Sequence, residues 1–383
     1  MSQGNQPPTT SGSFVGKKSW RAFIPVSVKR AVHRVRNLCN VTRSLEALML
    51  TRSGQTISLP LYHLAARIMR FQARFSSGRL PLAWKVSDSL GVSPVLFHFY
   101  QPLFDPHQLD EAQLDRPNSV ASLTFDDATL KTFVAELGAY QTELSRIPAT
   151  KQSLSEPYFE NSSFNYIDCA ALYAVIRHFK PKLFMEIGCG NSTLFARKAL
   201  LQNASEGMRA EHLGIEPFGP PWLESLSDVS ILPEKIENLP LAMFDALGPN
   251  DILFIDSTHV VRCGGDVVTE YCKILPRLRP GVIVHIHDIW LPFDYPKFWF
   301  TEHRRYWTEQ YLLAALLANS SRFKVIFPAM YLVAFHPELL FATFPDYKNV
   351  YFDKRFNSDG TIEHGKRPNR WAAGGSFWLK VNG

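Results

Sequence analysis

The chain has 383 residues and a formal net charge of +6, and 46% of its residues are apolar, so it can bury a sizeable core. It contains no uninterrupted run of about 18 apolar residues, and the first 30 residues lack a continuous apolar segment, so neither a membrane span nor a secretory signal is predicted. Five cysteines are scattered without a C-x-x-C pair, which is typical of reduced thiols in the cytoplasm.

The net charge conceals an asymmetry along the chain. Residues 1–80 contain thirteen Lys or Arg and one acid, Glu46, whereas the remainder contains 28 basic and 34 acidic residues. A basic segment joined to a mildly acidic body is expected to meet an anionic surface, which is either lipid, nucleic acid or the body itself. Nucleic acid is disfavoured, because the segment lacks the interleaved aromatic residues that stack bases.

The first part of the chain is expected to be a tail followed by helices. Residues 1–20 are rich in Ser, Gly, Pro, Thr and Gln, which predicts disorder, and residues 21–150 form a basic, mainly helical extension. Apolar residues recur at helical spacing in 28–50 and again in 61–75, with arginines between them. Such helices either contact an anionic membrane through residues 28–75 or pack on the rest of the chain, and an organellar transit peptide is a third alternative.

In the remaining chain, predicted strands alternate with predicted helices, as in an α/β domain. A further helix is expected over Asp126–Ile147, and the catalytic domain is assigned to residues 155–383. From about residue 165, β-rich runs alternate with helical segments at 193–203, 221–227, 239–246, 264–276 and 304–319, which predicts a doubly wound, mostly parallel sheet that ends in a hairpin. The seven predicted strands are Leu183–Ile187, His212–Glu216, Val229–Leu232, Asp251–Asp256, Gly281–Asp288, Phe323–Phe327 and Ser376–Val381.

A glycine turn after the first strand predicts a ligand site. Gly188 and Gly190 follow the strand and precede a helix, so the backbone can approach a ligand closely. Ser192 or Thr193 is expected to cap that helix, whose free N–H groups would then face the ligand. Two glycines alone are weak evidence, because a tight structural turn also needs them.

Two acidic residues beside the turn restrict the classes of ligand that can bind there. Glu216 ends the second predicted strand, where a carboxylate can accept hydrogen bonds from both hydroxyls of a ribose. A nicotinamide-dependent oxidoreductase uses an acid at the same place, but the third glycine of its G-x-G-x-x-G pattern is replaced here by Thr193. Glu186 precedes the glycines and suits a cationic sulfonium ligand better than a pyrophosphate.

These motifs resemble those of a known family. E-I-G-C-G-N-S-T at 186–193 and G-I-E-P at 214–217 resemble motif I and the next acidic strand of class I S-adenosylmethionine-dependent methyltransferases. Further stretches resemble a bacterial subgroup linked to O-methylation of sugars or other hydroxylated metabolites: N-x-x-F-x-x-x-D at 161–168, F-I-D-S-T-H-V at 254–260 and H-I-H-D-I-W-L-P-F-D-Y-P at 285–296.

The resemblance covers about residues 155–383 and implies a Rossmann-like fold with S-adenosylmethionine as cofactor. Glu186, Gly188 and Gly190 would line the methionine and ribose side of the cofactor, together with the Ser192–Thr193 helix start. Glu216 would hold the ribose, and Asp256 would also belong to the cofactor-binding residues. The acceptor would be a hydroxylated small molecule or a glycan, and the enzyme would be cytoplasmic, at the inner face of the membrane if the basic helices dock there.

Methyl transfer to a hydroxyl needs a general base or a metal ion that lowers the hydroxyl pKa. Asp256 and Asp288 end neighbouring predicted strands, and His259 and His287 lie close to them in sequence, so we expect these four residues to share one cleft as catalytic groups. Some related enzymes hold Mg or Mn with one carboxylate after the fourth strand and an acidic pair after the fifth. Asp256 and Asp288 match two of these positions, while His287 stands where an acid is expected.

His285 and the aromatic loop that follows Ile289 can be explained by packing alone. His285 lies deeper in the fifth predicted strand and is expected to be a core histidine. The aromatic loop Trp290–Tyr295 is either a wall of the acceptor pocket or core packing.

Overall fold

The structure, a computed structural model, describes residues 47, 49–161, 163–356, 362–368 and 374–383. The chain divides into two compact units, Met1–Phe104 and Asp105–Gly383. The predicted tail at 1–20, nearly all of the predicted helix at 28–50, and Cys39 lie outside the described residues. The predicted division into an extension of 21–150 and a domain of 155–383 stays a prediction.

Among the described residues of the first unit are the helices α1 (Arg52–Gln72) and α2 (Pro81–Ser89). Helix α1 begins at Arg52 because the Thr51 side-chain oxygen accepts a hydrogen bond from the backbone N–H of Gly54 at 3.0 Å. Helix α1 starts nine residues before residue 61, where the predicted helical spacing begins. The sequence did not indicate this first part of the helix because residues 52–60 are mostly polar. Within the described part of the chain, no helix is long and apolar enough to cross a bilayer.

The second unit is built on a seven-stranded sheet. Its strands are β1 (Leu183–Ile187), β2 (Glu211–Ile215), β3 (Ser230–Leu232), β4 (Ile252–Ile255), β5 (Ile283–Ile286), β6 (Phe323–Pro328) and β9 (Phe377–Val381), while β7 (Phe352–Phe356) and β8 (Ile362–Pro368) form a separate ladder. The strand order is β3-β2-β1-β4-β5-β9-β6. Strands β1 to β5 are parallel and β9 runs antiparallel to both neighbours, which confirms the predicted doubly wound, mostly parallel sheet.

Both faces of this sheet are covered. Along β1, Phe184 packs into one buried apolar cluster and Met185 into another, because successive side chains of a strand point to opposite faces. The cluster around Phe184 also contains the inner sides of α6 (Tyr166–Phe179) and α7 (Asn191–Ser205). The cluster around Met185 contains side chains from α8 (Asp266–Thr269) and α10 (Glu309–Asn319).

The other helices connect these elements. They are α3 (Glu111–Leu114), α4 (Asp127–Leu137), α5 (Gln141–Leu144), α9 (Lys297–Thr301), α11 (Ala329–Phe335), α12 (Pro337–Thr343) and α13 (Tyr347–Tyr351). Short 3₁₀ turns occupy Pro106–Gln108, Gly138–Tyr140, Pro221–Ser225, Ile236–Asn238, Leu241–Ala246 and Leu275–Arg277.

Several predicted helices differ from those observed. The segment predicted as one helix over 264–276 is α8, a π turn at Glu270–Ile274 and a 3₁₀ turn, and Pro276 cannot donate the backbone hydrogen bond that would continue it. Helix α6 was not predicted, because Ile167–Arg177 is buried on all sides. Such a segment has no polar face from which a helical period could be recognised. Strands β6 and β9 do pair, but three helices and the β7–β8 ladder separate them, so the predicted closing hairpin is wrong.

Candidate active site

The strand register brings the predicted functional residues to one edge of the sheet. Ile187 of β1 lies opposite Ile215 of β2 and Ile255 of β4. Ile255 in turn lies opposite Ile286 of β5. Because these parallel strands end level with one another, the residues that follow them gather at the carboxyl edge, where ligands bind in open α/β sheets.

The turn after β1 needs glycine at its first position. Gly188 has a φ of 84°, and a Cβ placed there would lie 2.0 Å from the carbonyl oxygen of Asp256. The backbone N–H of Asp256 donates to the carbonyl of Ile187 at 2.8 Å, so the two strand ends are held together at this point. Gly188 therefore lets β1 and β4 approach more closely than any other residue would allow.

A buried carboxylate fixes the start of α7 behind this turn. Glu186 is fully buried and accepts hydrogen bonds from the hydroxyls of Ser192 at 2.7 Å and Thr193 at 2.8 Å. The helix begins at Asn191, and the Thr193 hydroxyl accepts a bond from the N–H of Gly190, so Gly190 takes the capping position predicted for Ser192 or Thr193. Oε2 of Glu186 also lies 3.3 Å from Nε2 of His212. The predicted cofactor contacts of these side chains stay predictions.

Glu216 lies in a cleft beside the glycine turn. Its two carboxylate oxygens accept hydrogen bonds from the backbone N–H of Cys189 at 3.1 Å and of Phe218 at 2.6 Å, which fixes the carboxylate with lone pairs to spare. The cleft is lined by Ile187, Gly188, Ile215, Glu216, Pro217, Phe218, Lys235, Ile236, Glu237, Asp256, Ser257, Thr258, Arg262 and Asp266.

Asp256 of the cleft lining also forms a compact cluster with His259 and Asp288. Nε2 of His259 lies 3.3 Å from Oδ1 of Asp256 and 3.6 Å from Oδ2 of Asp288. One ligand atom from each residue lies within 4.8 Å of the others, close enough for a single metal ion. His259 and Asp288 both adopt positive φ, 60° and 53°, a conformation that is uncommon for non-glycine residues.

The third donor is one of the two histidines predicted as base or ligand. Asp256 and Asp288 lie together as expected, and the histidine grouped with them is His259, while a ligand role for His287 stays a prediction. Nε2 of His287 lies 3.7 Å from Oδ1 of Asp288, and the His287 ring packs against Phe164. The side chains of Asp256 and Asp288 remain 29% and 23% exposed, so an acceptor can reach the cluster from solvent.

The charges of the cluster oppose the effect of burial. Burial lowers the pKa of His259, but Asp256, Glu309 and Asp288 outweigh it and raise that pKa well above its usual value. Burial also lowers the pKa of His287, and nearby carboxylates again reverse the shift. Burial raises the pKa of Asp256, which the two imidazoles bring below its usual value. The carboxylates thus stabilise positive charge among them.

His285 is a core histidine, as expected from the sequence. It is fully buried, its ring stacks on Phe254 at 4.1 Å, and its Nε2 lies 3.0 Å from the hydroxyl of Ser376. Burial holds its pKa well below the usual value, so it remains neutral.

Sequence reasoning missed two residues that contact His259. Oε2 of Glu309 lies 2.8 Å from Nδ1 of His259, and the Trp307 ring centroid lies 4.4 Å from that of the imidazole. Both come from a loop and helix start about 50 residues downstream, and no spacing rule links them to His259. In the predicted aromatic loop, Tyr295 is fully buried and Trp290 packs on Trp299 at 5.2 Å, so these two rings join an interior cluster. Phe293 stacks on Phe335 instead.

Comparison with known proteins identifies the domain. The family described as "Methyltransferase domain" matches residues 185–289, which run from β1 past the end of β5. Residues 185–289 thus belong to a methyltransferase domain, which agrees with the activity that the sequence motifs implied. A comparison with curated proteins found no match. The oxidoreductase and nucleic-acid-binding alternatives gain no support.

Solved methyltransferases are also similar to this chain. SAH-bound PaMTH1 of Podospora anserina is 17% identical, with 54% of this chain and 92% of that chain covered and a TM-score of 0.30. The O-methyltransferase TomG of Streptomyces achromogenes is 13% identical, covering 64% and 96%, with a TM-score of 0.34. An O-methyltransferase of Bacillus cereus is 14% identical, covering 68% and 94%, with a TM-score of 0.29. At these scores the assignment rests on the family match.

The glycine turn can be tested by comparing two glycines of nearly equal φ. Gly207 has a φ of 87° and open space where a Cβ would lie, whereas a Cβ at Gly188 would overlap Asp256. We expect Gly207→Ala to lower the free energy of unfolding by about 1 kcal/mol and Gly188→Ala by about 3 kcal/mol or more, measured by urea denaturation. Equal losses in the two variants would contradict the close approach of β1 and β4.

Proposed function

We propose that this chain transfers the methyl group of S-adenosylmethionine to a hydroxyl group of a small molecule or a glycan. The observation that carries the proposal is the cluster of Asp256, His259 and Asp288 beside the cleft that contains Glu216, with Asp256 belonging to both. One edge of the sheet thereby offers a nucleotide site and a set of groups able to activate an acceptor. The nearest alternative ligand is a nicotinamide dinucleotide. It is disfavoured because Thr193 replaces the third glycine of the G-x-G-x-x-G pattern that binds such dinucleotides.

Glu216 is the proposed ribose ligand. Its carboxylate is already oriented by two backbone N–H groups, and each oxygen can accept a further hydrogen bond from a ribose hydroxyl. Glu186 acts indirectly in this proposal, by holding the hydroxyls of Ser192 and Thr193 and with them the turn that contacts the cofactor.

A hydroxyl acceptor must lose its proton as it attacks the sulfonium methyl group. The donor set of two carboxylates and one imidazole fits Mg²⁺ or Mn²⁺ at Asp256, His259 and Asp288. When bound, such a cation would lower the pKa of the acceptor hydroxyl. The protein groups themselves orient the acceptor at the open side of the cluster, and the catalytic role predicted for His287 stays a prediction.

Trp307 is the proposed contact for the acceptor. Its ring is half-buried, packs on His259 and has the guanidinium of Arg305 over it at 4.7 Å. A flat aromatic surface next to the reacting groups suits the apolar face of a sugar or an aromatic ring.

Helix α1 supports the further proposal that the chain docks on an anionic membrane. Its residues Leu61, Leu64 and Ile68 follow helical spacing on one face and are 57–68% exposed. Arg67 and Arg70 lie on a neighbouring face, as in helices that lie in a lipid interface. Such docking would bring the enzyme to lipid-linked or glycan acceptors.

The cofactor proposal predicts a specific loss of affinity at Glu216. Glu216→Gln removes the charge that a ribose hydroxyl would meet, so the affinity for S-adenosylhomocysteine should fall about 10- to 100-fold in calorimetry. Glu224→Gln, an exposed acid after the same strand, should bind like the unchanged chain. Tight binding of NAD in place of S-adenosylhomocysteine would overturn the assignment.

The acceptor site predicts a different outcome at Asp288. Asp288→Ala should abolish methyl transfer to a panel of glycan and phenolic acceptors, measured by intact mass with labelled cofactor, while S-adenosylhomocysteine still binds. A chelator should likewise stop turnover of the unchanged chain, and added Mg²⁺ or Mn²⁺ should restore it. Full turnover in chelator would exclude the metal, and full turnover of Asp288→Ala would remove that residue from the site.

The membrane proposal predicts co-sedimentation of the full chain with vesicles containing phosphatidylglycerol. The double change Leu64→Glu and Ile68→Glu should abolish sedimentation, because it places charge on the apolar face of α1. Leu201→Glu, an equivalent change at an exposed position of α7, should have no effect. Equal sedimentation of the α1 variant and the unchanged chain would rule out docking through this helix.

A further inference from the structure

A buried carboxylate lies directly behind the imidazole of the cluster. Glu309 is the first residue of α10 and is fully buried. Its Oε2 lies 2.8 Å from Nδ1 of His259, the ring nitrogen that faces away from Asp256 and Asp288. The proposed function assigns no role to Glu309.

The backbone of the same segment also holds His259. The N–H groups of Thr308 and Glu309 donate to the carbonyl oxygen of His259 at 2.8 and 3.1 Å, and the Thr308 hydroxyl accepts a bond from the N–H of Val261 at 2.7 Å. These contacts hold the backbone of His259 in its positive-φ conformation, while Glu309 holds the ring. Both the position and the rotation of the imidazole therefore depend on the start of α10.

The contact between Glu309 and His259 has a definite chemical consequence. An ionised carboxylate only accepts hydrogen bonds, so an ionised Glu309 requires that the proton between the two groups belongs to Nδ1 of His259. In the neutral imidazole, Nε2 then has a free lone pair, directed to the side of Asp256 and Asp288. A metal-ligating histidine is commonly oriented in this way by a carboxylate on its other nitrogen.

Stability alone does not account for this carboxylate. Burying a charge is costly unless it is fully paired, and Glu309 is buried close to a second buried carboxylate, that of Glu270. An acid in the first turn of a helix is favourable, but that benefit does not require the side chain to be buried against His259.

We propose that Glu309 is a positioning residue that fixes the ring and tautomer of His259, so that Nε2 faces the bound cation. The proposal rests on the proposed function, since it gives the metal cluster its orienting partner. It predicts that the charge of Glu309 matters for metal binding and for the proton position on His259, and that it does not matter for the cleft around Glu216.

The first measurement compares metal affinities in the full chain. Glu309→Gln keeps the shape of the side chain but removes its charge, so the affinity for Mn²⁺, followed by electron paramagnetic resonance, should fall about 10- to 100-fold. Glu302→Gln, an exposed acid in the preceding loop, is the matched control and should bind Mn²⁺ normally. Both variants should bind S-adenosylhomocysteine like the unchanged chain. Unchanged Mn²⁺ affinity in Glu309→Gln would overturn the proposal.

The second measurement reads the tautomer without any change at Glu309, so it does not depend on the folding of that variant. Nitrogen-15 spectra of the chain with Mg²⁺ should show the His259 proton on Nδ1, with the signal assigned by its loss in His259→Gln. A proton on Nε2 would reject the proposal. Failure of the unchanged chain to bind S-adenosylhomocysteine would instead reject the proposed function, and the tautomer would remain a separate result.

Discussion

The close approach of β1 and β4 is the constraint on which the rest of the site depends. The turn at Gly188 passes so near the carbonyl oxygen of Asp256 that no side chain fits between them. As a result, the cleft that contains Glu216 and the cluster that contains His259 open at the same edge of the sheet. A wider separation of these two strand ends would move the cluster, the proposed acceptor site, away from the proposed cofactor cleft around Glu216.

The electrostatics of the cluster follow from this crowding. Asp256, Asp288 and Glu309 surround His259 in a partly water-excluded space, where like charges repel and each needs a positive partner. In the free protein the imidazoles provide that partner, which is why the carboxylates raise the pKa of His259 and His287 against the effect of burial. A divalent cation would neutralise the same carboxylates. Protonation of the imidazoles and binding of a metal ion are therefore two ways to balance the same negative charge.

The sequence predicts the parts of this arrangement that depend on neighbours along the chain. Period-two and apolar runs define the seven strands, and the acids that end them, Glu216, Asp256 and Asp288, could be placed at one edge because parallel strands share that edge. What fails depends on contacts between distant segments. Glu309 looks like an ordinary acid at a helix start, and only folding brings it to His259. The fully buried helix α6 lacks a polar face, and Pro276 breaks a helix whose apolar spacing continues.

Asp256 has a particular position, because it belongs to both halves of the site. Its carbonyl oxygen lies over Gly188, its N–H donates to Ile187, and its carboxylate faces Nε2 of His259. A substitution there disturbs the cluster and the wall of the cofactor cleft together, so loss of activity could not be assigned to either. Asp288 and Glu309 lie outside the cleft lining and contact His259 from opposite sides. Changes at these two residues therefore separate acceptor activation from cofactor binding, which changes at Asp256 cannot do.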